Sequence, residues 1–95
     1  MIKGIDTEIG GTIYTVPPLS LGAVERFQDK FAAPTNTDII DICHAAVVRN
    51  YPDMTRAAFA ELLDMENFQR VFEAVAKISE LAPKAGEAKP ARRSR

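Results

Sequence analysis

The sequence has little of what a reactive centre or a covalent framework would need. Of its 95 residues, one is cysteine, one is histidine and none is tryptophan. A single cysteine, Cys43, excludes a disulfide within these residues and fits a reducing compartment. The apolar runs are only a few residues long, far below the ~20 that a membrane helix requires. The first residues lack the charged start and apolar centre of a signal peptide, so we expect none.

Charge is unevenly distributed along the chain. Residues 1–81 carry 7 Lys and Arg against 12 Asp and Glu, a net charge of −5, whereas residues 82–95 carry 5 against 1, a net charge of +4. An acidic body repels phosphate, which disfavours a nucleic-acid-binding fold. The basic segment lacks aromatic residues for stacking on bases, and Pro83, Gly86 and Pro90 would break any helix there. We therefore expect residues 82–95 to form a disordered basic tail.

Two β-rich segments begin the chain. Residues 2–7 and 12–16 are rich in β-branched side chains, and Gly10 and Gly11 lie between them. Paired glycines supply the positive φ angles of a tight hairpin turn. The sequence therefore predicts a two-stranded hairpin over residues 2–16, which would need helices or another subunit to pack against.

Capping residues and prolines divide the next part of the chain into helices. Ser20 and Thr55 are placed as N-caps, and Pro34 and Pro52 end the segments that precede them. The last segment has the clearest amphipathic pattern, with apolar side chains at spacings of three and four. These signals predict helices at about residues 20–33, 37–50, 55–63 and 66–81.

Taken together, these segments predict a mainly α (α+β) fold. The N-terminal β-hairpin is followed by a compact set of about four helices, and both belong to a single domain over residues 1–81. The second helix has the broadest apolar face, so we expect it to be central and the most buried.

The residues that most invite a chemical reading have simpler structural explanations. Cys43 and His44 are sequence neighbours, which lie ~100° apart on a helix and cannot pair as nucleophile and base. We expect Cys43 to be a small buried thiol. Asp38, Asp41 and His44 span too wide an arc of one helix to hold one metal ion, and we interpret them as solvated surface residues. We expect no enzyme, and no catalytic, cofactor-binding or metal residues.

Four segments carry a family resemblance: Tyr14-Thr15-Val16-Pro17-Pro18-Leu19-Ser20, Ala45-Ala46-Val47-Val48-Arg49-Asn50-Tyr51-Pro52-Asp53-Met54-Thr55, Leu62-Leu63-Asp64-Met65 and Phe72-Glu73-Ala74-Val75. With the Gly-Gly hairpin before them, they resemble the small tail assembly chaperones of long-tailed bacteriophages and prophages, over roughly residues 9–82. The most specific parts are the Tyr-Pro-Asp-x-Thr and Leu-Leu-Asp corners. The Cys-His pair and the basic tail depart from the family pattern.

The resemblance implies a non-catalytic protein in the cytoplasm of the bacterial host. Such a protein coats the long, helical tape measure protein before tail tube subunits polymerise around it, and it often self-associates. We expect no cofactor, small-molecule substrate or membrane association, and the acidic body disfavours nucleic acid as a partner. Helix-in-groove docking would use the remaining apolar faces of the helices. The residues expected to lie in the core or in such a groove are Leu21, Val24, Phe27, Phe68 and Phe72.

The alternative is a small nucleic-acid-binding regulator with a helix-turn-helix corner at residues 47–63. Its second helix would carry Arg56 as its one basic residue, opposed by Glu61. This composition makes it the weaker interpretation.

Overall fold

A two-stranded hairpin precedes four α-helices in the computed structural model of this chain, which describes residues 1–79. This order confirms the predicted mainly α fold with an N-terminal hairpin. The predicted tail at residues 82–95 lies outside the described residues. The elements are β1 (Ile5–Ile9), β2 (Thr12–Val16), α1 (Leu21–Phe27), a 3₁₀ turn (Gln28–Lys30), α2 (Asn36–Val47), α3 (Arg56–Leu62) and α4 (Phe68–Ile78).

The hairpin turn is built as its glycines predict. Gly10 and Gly11 have φ angles of 63° and 89°, and the strands pair antiparallel from Ile9 opposite Thr12. Positive φ at both central residues matches the twist of the flanking strands, which keeps the two-residue connection tight. Glu8 supports the turn by accepting a 2.6 Å hydrogen bond from the Gly11 N–H.

Side-chain caps set the starts of the first three helices. The Ser20 hydroxyl accepts from the Ala23 N–H, and the Thr55 hydroxyl accepts from the Ala58 N–H, as predicted. Thr35 and Asp38 form a reciprocal capping box at the start of α2. Each cap satisfies an N–H that has no partner within the helix, which stabilises a helix by about 1 kcal/mol.

The first helix is shorter than the predicted 20–33. It ends at Phe27, whose φ of −105° and ψ of 8° leave the helical region, and a 3₁₀ turn follows over Gln28–Lys30. Such turns are common at helix ends because they tighten the last carbonyl contacts. Phe31, just after the turn, still packs against the core.

Helix α2 is the centre of the core, as its broad apolar face predicts. It contributes five buried residues and packs against α1, α3, α4 and β2. Phe59 of α3 is the largest fully buried side chain and lies in the same cluster. The remaining core members come from the hairpin, the β2–α1 connection, α1 and α4: Ile9, Val16, Leu19, Ala23, Val71 and Val75.

The connection between α2 and α3, residues 48–55, fastens the hairpin to the helices; we call it the Asn50 corner. The Asn50 amide accepts from the Ile2 N–H at 2.7 Å and donates to the carbonyls of Ile2 (2.8 Å) and Thr15 (3.0 Å). The Tyr51 hydroxyl accepts from the Thr15 N–H at 2.9 Å. Both backbone groups of Thr15 are therefore paired on the outer edge of β2, where an unpaired strand edge would invite pairing with another chain.

Candidate functional site

The cysteine and histidine of α2 are both committed to packing. Cys43 is fully buried, and burial raises the pKa of its thiol to about 12. A thiol that keeps its proton at neutral pH is a poor nucleophile. His44 is half-buried: its Nε2 lies 2.7 Å from the Met54 carbonyl oxygen, and its ring is 6.0 Å from that of Phe59. The interpretation of His44 as a solvated surface residue is wrong, because the Asn50 corner folds back over it.

The two aspartates of α2 also have separate structural partners. Asp38 accepts from the Thr35 N–H at 2.9 Å, and this hydrogen bond is the main cause that lowers the pKa of its carboxyl. Asp41 pairs with Arg56 at the start of α3. These two carboxylates and His44 thus point to three different places. Within residues 1–79 no group of three or more His, Cys, Asp or Glu side chains is arranged to hold a metal ion.

An apolar groove opens between α2, α3 and the start of α4; we call it the central groove. It forms an open depression with a volume of about 170 Å³. Its walls are mainly apolar, with one amide and one carboxylate among the lining residues: Asn36, Ile39, Ile40, Ala60, Leu63, Asp64, Met65 and Phe68. Although Met65 borders an apolar groove, 79% of its surface is exposed.

The turn that places Met65 is held by its polar neighbours; we call residues 63–67 the Asp64 corner. The Asp64 carboxylate accepts from the N–H groups of Glu66 (2.9 Å) and Asn67 (2.8 Å). The Asn67 side chain accepts from the Asp64 N–H and donates to the Leu62 carbonyl. The corner is therefore fixed by backbone-directed hydrogen bonds, and the Met65 side chain contributes little to the core.

A second apolar surface lies on α1; we call it the α1 surface. Leu21, 84% exposed, lies beside a depression that Gly22, Val24, Glu25 and Gln28 also line. No residue lines both this depression and the central groove. Within residues 1–79, the central groove and the α1 surface are therefore separate from each other.

The five residues predicted for the core or for a groove are divided among different environments. Leu21 and Val24 lie on the α1 surface, and Phe68 lies in the central groove. Phe27 and Phe72 are half-buried against the core and line neither cavity. The Arg26 guanidinium carbon lies 4.6 Å from the centre of the Phe27 ring, which covers one face of it.

Sequence reasoning missed Met65, the most exposed large side chain of the central groove. Its signal is compositional, because it is an apolar residue between Asp64, Glu66 and Asn67 in a corner that needs no apolar group. Helical periodicity cannot detect such a residue, since it lies between two helices and belongs to the face of neither.

The helix-turn-helix alternative gains little from the geometry. A DNA-reading motif of this kind joins its helices with a turn of about 3–4 residues, whereas residues 48–55 separate α2 from α3. Arg56, the one basic residue of α3, is paired with Asp41. The surface of α3 therefore offers phosphate little positive charge.

Comparison with protein-family models, with curated proteins and with solved structures found no match for this chain. Over residues 1–79, the helices are too short or too polar for any of them to cross a membrane.

Proposed function

We propose that this chain is a phage tail assembly chaperone that binds the tape measure protein in the cytoplasm of the bacterial host, without catalysis. The observation that carries the proposal is the pair of exposed apolar surfaces on so small a helical domain. Leu21 and Met65 expose most of their surface, and Met65 borders an apolar groove. Exposed apolar patches of this kind mark sites of protein association.

The side chains within residues 1–79 that could act as a nucleophile, a base or a metal ligand support a binding role over catalysis. Cys43 is protonated and buried, while Asp38, Asp41 and His44 each have a structural partner. A nucleophile needs a base within hydrogen-bond reach and an accessible reacting atom. Neither condition is met by these groups, whereas the apolar surfaces are accessible.

The size of the surfaces suits a chaperone that must later release its partner. A long helical protein has apolar stripes that would aggregate before the tail tube surrounds it. Covering part of such a stripe with an apolar groove follows the helix-in-groove mode. Burying one Leu or Met side chain contributes about 1.5–3 kcal/mol, so many copies could cover the stripe while each remained displaceable.

Co-expression with fragments of the tape measure protein encoded alongside this chain tests the proposal. We expect a complex that co-purifies, and a fragment that stays in solution only when the chaperone is present. Failure of any complex to form, with both proteins folded and in solution, would refute the proposed function.

Two matched variants then identify the surface that binds. Leu21→Ser and Met65→Ser each replace one exposed apolar side chain, so neither should change the free energy of unfolding by more than about 0.5 kcal/mol. We expect the variant on the binding surface to weaken the complex about tenfold, which corresponds to 1.4 kcal/mol of lost burial. Sedimentation of each variant alone reports whether the same surface supports self-association.

A further inference from the structure

The central groove has room for one large apolar side chain. An enclosed apolar protein cavity of about 150 Å³ accommodates a molecule the size of benzene, and the open groove has a similar volume of about 170 Å³. Ile40, Leu63 and Phe68 line it while remaining only half-buried. A leucine, methionine or phenylalanine from a partner would complete their burial.

Met65 provides an adaptable edge to the groove. The hydrogen bonds of the Asp64 corner keep it outside the core with 79% of its surface exposed. Methionine is flexible and polarisable, so it fits partner side chains of differing shape. A groove that must cover successive stretches of one long helix needs this tolerance.

The segments that line the groove hold more carboxylates than cations. Residues 36–42 and 57–69 together hold five carboxylates and no Lys or Arg. Asp38 and Asp41 pair with Lys30 and Arg56 respectively. The other three have no ion-pair partner within residues 1–79: Asp64 lines the groove, and Glu61 and Glu66 are exposed and adjoin the lining residues Ala60 and Met65 in the sequence. Negative charge beside an apolar cavity favours a cationic partner and disfavours an anionic one.

We propose that the central groove binds an amphipathic helix of a separate protein, with a large apolar side chain in the cavity and Lys or Arg residues flanking it. The flanking cations would face Glu61, Asp64 and Glu66. This proposal rests on the proposed function, in which the tape measure protein supplies the helix. It adds the surface that binds and the sequence pattern that the surface selects.

Two other occupants fit the groove less well. Residues 82–95 of the same chain are cationic, but they contain no Val, Leu, Ile, Met or aromatic residue to enter the cavity. A second copy could offer the exposed Leu21, but Glu25 lines the same surface and would face the acidic groove. A partner with both apolar and cationic residues satisfies both features of the site.

Three synthetic helical peptides test the pattern against the full-length chain. The first has a leucine stripe flanked by lysines, the second has the same stripe flanked by glutamates, and the third has lysines with alanines replacing the leucines. Fluorescence anisotropy measures each affinity, and amide chemical shifts locate the contact. We expect the first peptide to bind about tenfold or more tightly than either other, with shifts at Ile40, Ala60, Met65 and Phe68.

Charge reversal provides the matched control. The double variant Glu61→Lys, Glu66→Lys should lose the preference for the lysine peptide, whereas Asp53→Lys, Glu73→Lys makes the same change in net charge at exposed positions that neither line the groove nor adjoin a lining residue in the sequence. We expect the control to keep at least half of the wild-type preference. Equal binding of all peptides, no binding of any, or shifts confined to the α1 surface would overturn the proposal.

The remaining outcomes separate the two proposals. If Glu61→Lys, Glu66→Lys alters the sedimentation of the peptide-free protein, a second copy occupies the groove, and the proposal is overturned. If the lysine peptide binds in the groove but no tape measure fragment does, the proposed function fails alone. If a tape measure fragment binds equally to the wild type and to Glu61→Lys, Glu66→Lys, the groove proposal fails alone.

Discussion

Asn50 is expected to contribute more to stability than any other exposed or half-buried polar residue of the described fold. Its amide makes three hydrogen bonds that join the chain start and β2 to the end of α2. Each such bond contributes about 0.5–1.5 kcal/mol net, and the two bonds to Ile2 are exposed, which places them at the low end. Replacing Asn50 with alanine should therefore lower the free energy of unfolding by about 2 kcal/mol.

That loss is large against the total stability of so small a domain. Domains are stable by about 5–15 kcal/mol, and 1 kcal/mol shifts Tm by about 4–8 °C at this size. Asn50→Ala should thus lower Tm by about 8–16 °C. Urea unfolding followed by far-ultraviolet circular dichroism gives the free energy, and tyrosine fluorescence gives an independent probe of the hairpin, because Tyr14 and Tyr51 pack edge to face at 5.1 Å.

Asn36→Ala is the matched control, because Asn36 is exposed at the start of α2 and lines the central groove. It should change the free energy of unfolding by less than about 0.5 kcal/mol. Tyr51→Phe is the graded companion: it keeps the ring but removes the acceptor of the Thr15 N–H, for about 1 kcal/mol, and it should speed hydrogen exchange at that amide. Equal changes in the free energy of unfolding for Asn50→Ala and Asn36→Ala would refute the claim that the Asn50 corner holds the hairpin against the helices.

Two further perturbations test other parts of the fold. Gly4→Ala should destabilise the protein by about 2 kcal/mol or more, as overpacking does, because its Cβ would clash with the Val16 carbonyl oxygen. At Gly22 an added Cβ meets nothing within 4 Å, so Gly22→Ala should be neutral or slightly stabilising in urea unfolding. Cys43 should not react with a thiol reagent at neutral pH until the protein unfolds. Because its folded pKa of about 12 exceeds the unfolded value near 9, the unfolded thiol loses its proton first, so stability should fall as pH rises from about 9 to 12. In Cys43→Ala the free energy of unfolding should no longer fall through this thiol as pH rises. An unchanged pH dependence in the variant would mean that other groups cause the fall.

Local chemistry made much of this fold predictable. Gly10 and Gly11 specify the turn, and Ser20 and Thr55 specify helix starts, because each effect acts within three or four residues. The breadth of the apolar face of α2 likewise predicted its central position. These features depend on local backbone preferences, which do not require contacts with distant parts of the chain.

Local sequence signals did not predict the contacts between distant parts of the chain. Asn50 and Ile2 are 48 positions apart, and Tyr51 and Thr15 are 36 apart. The spacing of polar residues does not indicate which backbone N–H and carbonyl groups an asparagine side chain will bond. His44 was misread for the same reason, since its burial depends on how residues 51–55 fold back over α2.

The candidate site was only partly predictable, because periodicity identifies an apolar face without saying what covers it. Val24 and Phe27 follow Leu21 at helical spacing, yet Leu21 is exposed while Phe27 is packed against the core. Phe68 was predicted as a core or groove residue and lines the groove, whereas Phe72, one turn later, does not. Deciding between core and surface requires the neighbouring elements, which are placed by the two corners.

The two corners that carry the family resemblance have different physical roles. In the Asn50 corner, the polar side chains face inward and close the edge of β2, so a change there should act on stability. In the Asp64 corner, the carboxylate and the amide bind the local backbone, and Met65 faces outward beside the groove. A change at Met65 should therefore act on binding while leaving stability intact. Asn50 and Asp64 lie fourteen residues apart in one small domain, and unfolding and binding measurements distinguish the roles expected of the two corners.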